Sequence, residues 1–146
     1  MLVKAADWRR PGNGVVWSNM APAESEAQIE ILEFEASSPL LKDFITLPVG
    51  IYAEDPNWVQ PLNVDLKTLL DPSKHPYHQH AWSVLLLATR DGRPAGRMAV
   101  HINHRYNERW NESVGHFGFF ECQDDAEVAG ALFDHAEELL RERRSE

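Results

Sequence analysis

The chain of 146 residues is long enough for one domain with a single core, and its 43% hydrophobic and 25% charged content is ordinary for a soluble globular protein. The formal net charge of −9 excludes a broad basic surface for nucleic acid, because phosphate neutralisation needs clustered Lys and Arg. A single cysteine, Cys122, excludes an intramolecular disulfide, and no apolar run is long enough to span a membrane, so we expect a cytoplasmic protein.

Residues 1–28 differ in composition from the rest of the chain. They contain scattered Pro and Gly and a polar stretch at residues 24–26, and no helical or alternating pattern persists in them. Such a segment buries too little apolar surface to offset the entropy of ordering it. We therefore expect a disordered N-terminal tail over residues 1–28 and a folded unit over residues 29–146.

The folded unit begins with a strand and two helices. Residues 29–35 partly alternate apolar and acidic side chains, which predicts a strand. Ser38 followed by Pro39 is typical of a helix start, and we expect Pro48 to interrupt or bend that helix. A second, shorter helix is predicted to open at Pro61.

A hairpin and a further strand follow. Apolar residues 82–89 and the alternating residues 95–103 flank Asp91-Gly92, a strong hairpin turn. Alternation in the second of these strands places side chains on two faces, Met98, Val100 and Ile102 on one and Arg97, Ala99 and His101 on the other. The polar residues 103–113 are interpreted as a connection that leads to a fourth strand over residues 114–120. That strand contains two glycines, which often mark a bulge or a close approach of a ligand.

The last segment predicts an amphipathic helix over residues 124–144. Asp124 is a good N-cap, and Glu127 stands three residues later, as in a capping box. Apolar residues then recur at helical spacing, and Val128, Leu132, Ala136 and Leu139 form the face that we expect to pack on the sheet. The order β-α-α-β-β-β-α predicts a mixed α/β fold (α+β) with an antiparallel-rich sheet.

Several segments carry a family resemblance: residues 47–62 with Asp55-Pro56-Asn57-Trp58-Val59, residues 74–81, Arg90 to Arg97, residues 102–107, Gly118 to Glu121, and residues 131–137. Together they resemble the N-terminal half of the GNAT acyltransferase superfamily, over about four-fifths of the chain, and a bacterial branch of GNAT-like proteins above all. The resemblance stops before the fifth strand of that fold. It therefore implies a partial domain over residues 29–146 that is not an active acetyltransferase by itself.

The resemblance also implies a cofactor, acetyl-CoA, and the residues that would bind it. In GNAT enzymes the pantetheine arm lies beside the end of the fourth strand, which places Phe119, Phe120, Glu121 and Cys122 along the arm. The pyrophosphate would lie on the turn over residues 123–128, which includes Asp124 and Asp125. The chain departs from the family's glycine-rich turn at this point, since it carries acidic residues there.

Glu121 is the candidate catalytic residue, because a GNAT enzyme can place at this position the general base that deprotonates an acceptor amine. The alternative is a solvated or capping carboxylate. The resemblance accordingly implies an acyl-CoA-dependent N-acyltransferase with a small amine as acceptor. The alternative function is a non-catalytic module of the same fold that binds a protein partner. An unpaired fourth strand exposing Phe117 or Phe119 would also favour self-association.

Other chemically distinctive residues permit two interpretations. His75, His78 and His80 have a spacing that can bind zinc or nickel, but they stand in a Pro-bearing loop without a nearby cysteine, and we expect no structural metal. Cys122 is interpreted as a packed thiol rather than a nucleophile. Four aromatic residues either line an acceptor cleft or belong to the core: Tyr52, Trp58, Tyr77 and Trp82.

Overall fold

A computed structural model describes residues 28–144, so the predicted tail lies outside the described residues except for Gln28. The elements, in chain order, are β1 (Ile29–Phe34), α1 (Leu41–Ile51), α2 (Asn63–Leu70), a short 3-10 helix (Pro76–Gln79), β2 (Ala81–Arg90), β3 (Arg93–Asn103), α3 (His104–Trp110), β4 (His116–Cys122) and α4 (Ala126–Arg144). Within this part of the chain, no helix is both long and apolar enough to cross a membrane.

The four strands form one antiparallel sheet in the order β1-β2-β3-β4. The predicted hairpin joins β2 to β3, and Asp91 and Gly92 have φ angles of 52° and 76°, the positive pair that a type I′ turn requires. The Asp91 carboxylate also accepts a hydrogen bond from the Gln28 amide, at 3.0 Å, which ties the start of β1 to this turn. The predicted mixed α/β class with an antiparallel sheet is confirmed.

Helices cover both faces of the sheet and create two apolar clusters. One cluster lies under α4 and contains Leu86, Ala88, Ala95, Met98, Val100, Val128, Leu132 and Ala136. The other lies under α1 and α2 and contains Phe34, Phe44, Ile45, Leu70, Leu85, Leu87 and Ala99. The predicted division of β3 side chains between two faces is confirmed, and so is the packing face of α4.

A β-bulge interrupts the pairing of β3 with β4, because Phe119 and Phe120 both lie opposite the single residue Met98. Phe119 has a φ of 53°, in the left-handed region that non-glycine residues seldom adopt. The extra residue turns the Phe119 ring toward α1, where it packs 6.1 Å from the Phe44 ring. The Phe120 ring faces α4 and packs 4.8 Å from the Phe133 ring.

The predicted connection over residues 103–113 contains a helix, α3. The Asn103 side chain accepts a hydrogen bond from the Tyr106 amide at 3.0 Å, and Asn111 ends the helix with a φ of 51°. The helix is polar and short, so it has no apolar periodicity that could predict it. The fourth strand also begins two residues later than predicted, and it runs over His116–Cys122 rather than residues 114–120.

The predicted cap of α4 is wrong by one residue. The Asp125 carboxylate, not that of Asp124, accepts hydrogen bonds from the amides of Glu127 and Val128, at 3.1 and 3.2 Å. Glu127 therefore does not complete a capping box and instead contacts Arg90. An aspartate carboxylate at either position could accept hydrogen bonds from the first amides of the helix. Which of the two caps α4 therefore depends on where β4 ends.

The two helices on the other face also differ in detail from the prediction. Pro48 does not end α1, which continues for three more residues to Ile51. The second helix begins at Asn63, two residues after Pro61, and ends at Leu70. Proline can stand inside a helix where another group satisfies the carbonyl that its missing N–H leaves free.

Candidate functional site

Glu121 lies at the end of β4 on the α1 side of the sheet, in contact with residues from two other elements. The Tyr52 hydroxyl, just after α1, donates a hydrogen bond to Glu121 Oε2 at 2.5 Å. The strand register places Glu121 opposite Arg97 of β3, and Oε1 lies 3.9 Å from Arg97 Nη2. The bulge creates this arrangement, because without the extra residue Glu121 would not share a face with Arg97.

Arg97 is buried, with 6% of its surface exposed, and Pro48 explains how it is held there. Because Pro48 has no N–H, the Phe44 carbonyl one turn earlier lacks a helical partner, and Arg97 Nη1 donates to it at 2.6 Å. The guanidinium also lies over two rings, 5.0 Å from the centroid of Phe44 and 5.8 Å from that of Phe119. Burial lowers the pKa of Arg97, but a guanidinium stays charged in proteins.

Tyr52 is positioned by packing as well as by its hydroxyl. Its ring stacks on Trp58, with centroids 5.4 Å apart. The hydrogen bond to Glu121 raises the pKa of Tyr52, and burial raises it further, so the phenol is a stable donor at neutral pH. We name Tyr52, Arg97 and Glu121 the carboxylate cluster.

A groove of about 770 Å³ lies beside this cluster, between the end of α1, the end of β4 and the start of α4. It is lined in part by four of the predicted cofactor-binding residues: Phe120, Cys122, Asp124 and Asp125. Phe119 is not among its lining residues, because the bulge turns that side chain to the other face of the sheet. The structure thus brings together most of the residues that the resemblance assigned to acetyl-CoA.

The turn before α4 does not fit a pyrophosphate as it is folded. The amides that a phosphate would contact, those of Glu127 and Val128, already donate to Asp125. Arg90 Nη2 holds the same carboxylate at 3.0 Å, so this cation is engaged as well. The amide of Val128 is the main cause that lowers the pKa of Asp125, which keeps the competing anion charged.

Cys122 has the environment of a packed thiol. Its sulfur lies 3.7 Å from the Asp125 carbonyl oxygen, and a side chain at Gly96 would meet it at 3.4 Å. Burial, and after it the charge of Asp125, raise the pKa of the thiol, which opposes thiolate formation. This environment favours the interpretation of Cys122 as a structural residue.

A second cavity, of about 530 Å³, lies on the α1 side of the sheet beneath α2 and the 3-10 helix. Tyr77 and His78 line it, so one of the four aromatic residues considered for a cleft borders this cavity with its ring. Trp82 is also a lining residue, but its side chain packs against the cluster beneath α4, with the Arg143 guanidinium 5.0 Å from the centroid of its ring. Phe34 and Leu85 are among its apolar lining residues. We name it the α2 cavity.

Two histidines of the predicted cluster, His75 and His78, line the α2 cavity, whereas His80 does not. His78 Nε2 lies 3.1 Å from the Leu69 carbonyl oxygen, and its Nδ1 lies 3.2 Å from Ser83 Oγ. His101 stacks on His116 with ring centroids 5.3 Å apart. No group of three His, Cys, Asp or Glu side chains within residues 28–144 is arranged to hold a metal ion.

Two bacterial proteins are similar to the chain in sequence, although no family model matches it. The chain is 40% identical over 104 residues to the bacterial ceramide synthase of Caulobacter vibrioides, and 36% identical over 101 residues to protein YghO of Escherichia coli. These matches cover 70% and 69% of the chain, but the chain spans only about a quarter of either relative, 27% and 26%.

One solved structure is similar over most of the chain. It is a tandem GNAT protein from the clavulanic acid biosynthesis pathway, with a TM-score of 0.61 and 17% sequence identity. The likeness covers 80% of this chain and 34% of that one. The chain therefore has a GNAT-like fold, as the resemblance implied.

Proposed function

Because the fold is GNAT-like, we propose that this chain supplies the general base of an N-acyltransferase site, where an acceptor amine attacks an activated acyl group. The observation that carries the proposal is the carboxylate cluster, in which Glu121 is held at the end of β4 by the Tyr52 hydroxyl. General bases of this kind must be within hydrogen-bond reach of the proton that they remove.

The two oxygens of Glu121 have different roles in this proposal. Oε2 accepts from Tyr52, which fixes the orientation of the carboxylate. Oε1 lies beyond hydrogen-bond distance of Arg97, at 3.9 Å, and about a quarter of the side chain is exposed, 24%. Oε1 is therefore the atom that accepts the proton as the amine nitrogen bonds to the acyl carbon. The bond from the acyl carbon to its leaving group then breaks, and the leaving group departs with the electron pair.

Tyr52 and Arg97 act through Glu121 and are positioning residues. Arg97 is fixed by the Phe44 carbonyl, so its charge stays near the carboxylate without an approach to solvent. We assign no step to acetyl-CoA, because its pyrophosphate does not fit the turn as folded. A donor thioester would have to be anchored elsewhere, or after Asp125 moves.

The name of one relative, the bacterial ceramide synthase, favours an amine acceptor. A ceramide is an amide of a fatty acid and a long-chain amino alcohol, so a ceramide synthase forms an N-acyl bond. The Caulobacter relative shares 40% identity with this chain over 104 residues. We extend only the reaction class, acyl transfer to nitrogen, from that protein to this chain.

The test uses the Caulobacter relative as a host, because the match to this chain covers only 27% of its length and the rest of that protein is kept. Its matched segment is replaced by the corresponding residues of this chain, and ceramide formation by the chimera is measured. Glu121→Gln should lower the rate about 100-fold or more, since general base catalysis contributes about that factor. Tyr52→Phe should have a smaller effect.

The matched control is Glu108→Gln, which alters an exposed glutamate on α3, away from the cluster. It should leave the rate unchanged. A chimera that unfolds cooperatively but forms no ceramide would contradict the proposal. A Glu121→Gln chimera as fast as the parent chimera would contradict it equally.

A further inference from the structure

The α2 cavity is large enough to bind a small molecule apart from the carboxylate cluster. Its volume of about 530 Å³ lies within the range of ligand pockets in proteins. None of the cluster residues, Tyr52, Arg97 and Glu121, is among its lining residues, so a ligand here would occupy a site of its own. The atoms that line a cavity lack van der Waals partners on one side, and a ligand of matching shape supplies them.

The lining of the α2 cavity carries little charge, which favours an uncharged ligand. Among its lining residues, all within the described part of the chain, Glu35 is the one formally charged side chain, and it is exposed. Burial, and after it the charges of His116 and His78, lower the pKa of His101, so this imidazole is uncharged at neutral pH. An anion would therefore meet no cation in the cavity. A cation could approach only the exposed carboxylate, where solvent screens the attraction.

The imidazole of His101 is a polar group of the lining that a ligand can bond to. The ring of His78 already has hydrogen-bonding contacts at both of its nitrogens. Within residues 28–144, by contrast, the His101 ring makes no hydrogen bond; it stacks on His116 and meets the Tyr77 ring edge-on. A neutral imidazole has one donor and one acceptor nitrogen, so it can bond to a hydroxyl group in either role.

Aromatic residues contribute to the lining of the cavity besides His101. They are Phe34, Tyr77 and Phe119. Aromatic rings attract one another in offset or edge-on arrangements, beyond the effect of the area that they bury. A flat, rigid ligand also loses less conformational freedom on binding than a flexible chain of the same size. Both effects favour an aromatic ligand over an alkyl chain.

We propose that the α2 cavity is a binding site for an uncharged aromatic molecule with a hydroxyl group. Its ring would pack among Phe34, Tyr77 and Phe119, and its hydroxyl would bond to His101. The site is separate from the proposed acyltransferase site and does not depend on it. It should discriminate against carboxylates, ammonium compounds and alkyl chains of equal size.

The experiment measures by calorimetry the binding of matched probes to the full chain at neutral pH. The probes share a naphthalene ring: naphthol is uncharged and has a hydroxyl, naphthoate is an anion, naphthylmethylamine is a cation, and naphthalene has no polar group. Naphthol should bind at least about tenfold more tightly than either charged probe. It should bind about threefold to tenfold more tightly than naphthalene, the factor that one hydrogen bond typically contributes. His101→Phe, which keeps a ring at this position, should remove that last preference.

Gly118→Leu tests whether naphthol binds in this cavity. Gly118 lines the cavity opposite Ala99, another lining residue, and a Cβ added to it would meet nothing within 4 Å. The larger side chain would take up space in the cavity, so we expect the affinity for naphthol to fall at least about tenfold. Gly130 on α4 is equally open and lies outside the cavity, so Gly130→Leu is the matched control and should bind as the parent chain does.

A second cavity-filling variant, Ala36→Leu, protects the test against misfolding of the first, because Ala36 lines the same cavity. Cooperative unfolding shows which of the two variants fold, and unchanged affinity for naphthol in a folded one would overturn the proposal. A charged probe that binds as tightly as naphthol would overturn it as well. Decanol, which has as many carbon atoms, would refute the choice of an aromatic ligand if it bound equally well. Equal affinities of the parent chain for naphthol and naphthalene would refute the role of His101.

Discussion

Replacing Leu132 with alanine tests the packing of α4 on the sheet. Leu132 is fully buried, with 0% of its surface exposed, and belongs to the cluster beneath α4. Its Cδ1 lies 2.8 Å from the point that a Cβ on Gly96 would occupy, so the side chain packs directly on strand backbone. Because a paired strand cannot collapse into the space left behind, we expect a loss of about 2–5 kcal/mol.

Urea unfolding followed by tryptophan fluorescence measures this loss. For small proteins the slope of stability against urea is about 1–3 kcal/mol per molar, so a loss of about 3 kcal/mol moves the midpoint by roughly 1–3 M. Asp134→Ala, at an exposed position of the same helix, is the control and should change stability by less than about 0.5 kcal/mol. A loss below about 0.5 kcal/mol for Leu132→Ala would refute the docking of α4.

Asp125, Phe117 and His78 provide three further tests, of the helix cap, the strand edge and the histidine cluster. Asp125 has a lowered pKa in the folded state, so its contribution to stability is present above the unfolded pKa and is lost as the pH falls through the folded one. Asp125→Ala should therefore be less stable at neutral pH and should show a weaker decline on acidification; unfolding curves with the same pH dependence as the parent would count against this. Phe117 is 55% exposed on β4, one of the two outer strands of the described sheet, and we expect Phe117→Ser to weaken self-association in sedimentation experiments; a parent chain that sediments as a monomer would contradict this expectation. Elemental analysis of the purified chain should find no stoichiometric zinc, and zinc that is lost on His78→Ala would reverse that expectation.

Most of the fold could be predicted from the sequence, because its elements have strong local patterns. The apolar spacing from Val128 to Leu139 predicts both α4 and its packing face. Asp91-Gly92 predicts the hairpin, since these residues tolerate the positive φ angles of its turn. The sequence pattern does not predict α3, because its residues are polar and its stability depends on caps rather than on an apolar face.

The site could be predicted only in part. The resemblance identifies Glu121, but its partner Tyr52 is 69 residues distant, and no local pattern connects the two. The position of Arg97 could not be predicted either, because it depends on a tertiary contact. Pro48 leaves the Phe44 carbonyl without a helical partner, and the Arg97 guanidinium donates a hydrogen bond to that carbonyl. The resemblance assigns Phe119 to the pantetheine arm, whereas the sequence does not show that a bulge of one residue turns this side chain away from the groove that Phe120 and Cys122 line.

The sequence could not predict which carboxylate of the acidic turn before α4 caps the helix. The sequence indicates that Asp124, Asp125 and Glu127 depart from a glycine-rich turn, but it does not show which carboxylate occupies the amides. The Gln123 amide donates to the Ala95 carbonyl at 2.9 Å, which extends the contact of the chain with β3. The helix consequently starts one residue later, and Asp125 becomes the cap.

The rate of amide formation by the Glu121→Gln variant tests the central claim, that Glu121 accepts the proton of the amine, more directly than any other measurement. The kcat/KM for ceramide formation is determined at neutral pH for the chimera described above, for its Glu121→Gln variant and for the control variant Glu108→Gln. We predict that Glu121→Gln is about 100-fold slower than the parent chimera and that Glu108→Gln is as fast as the parent. Equal kcat/KM values for the Glu121→Gln variant and the parent chimera would contradict the claim.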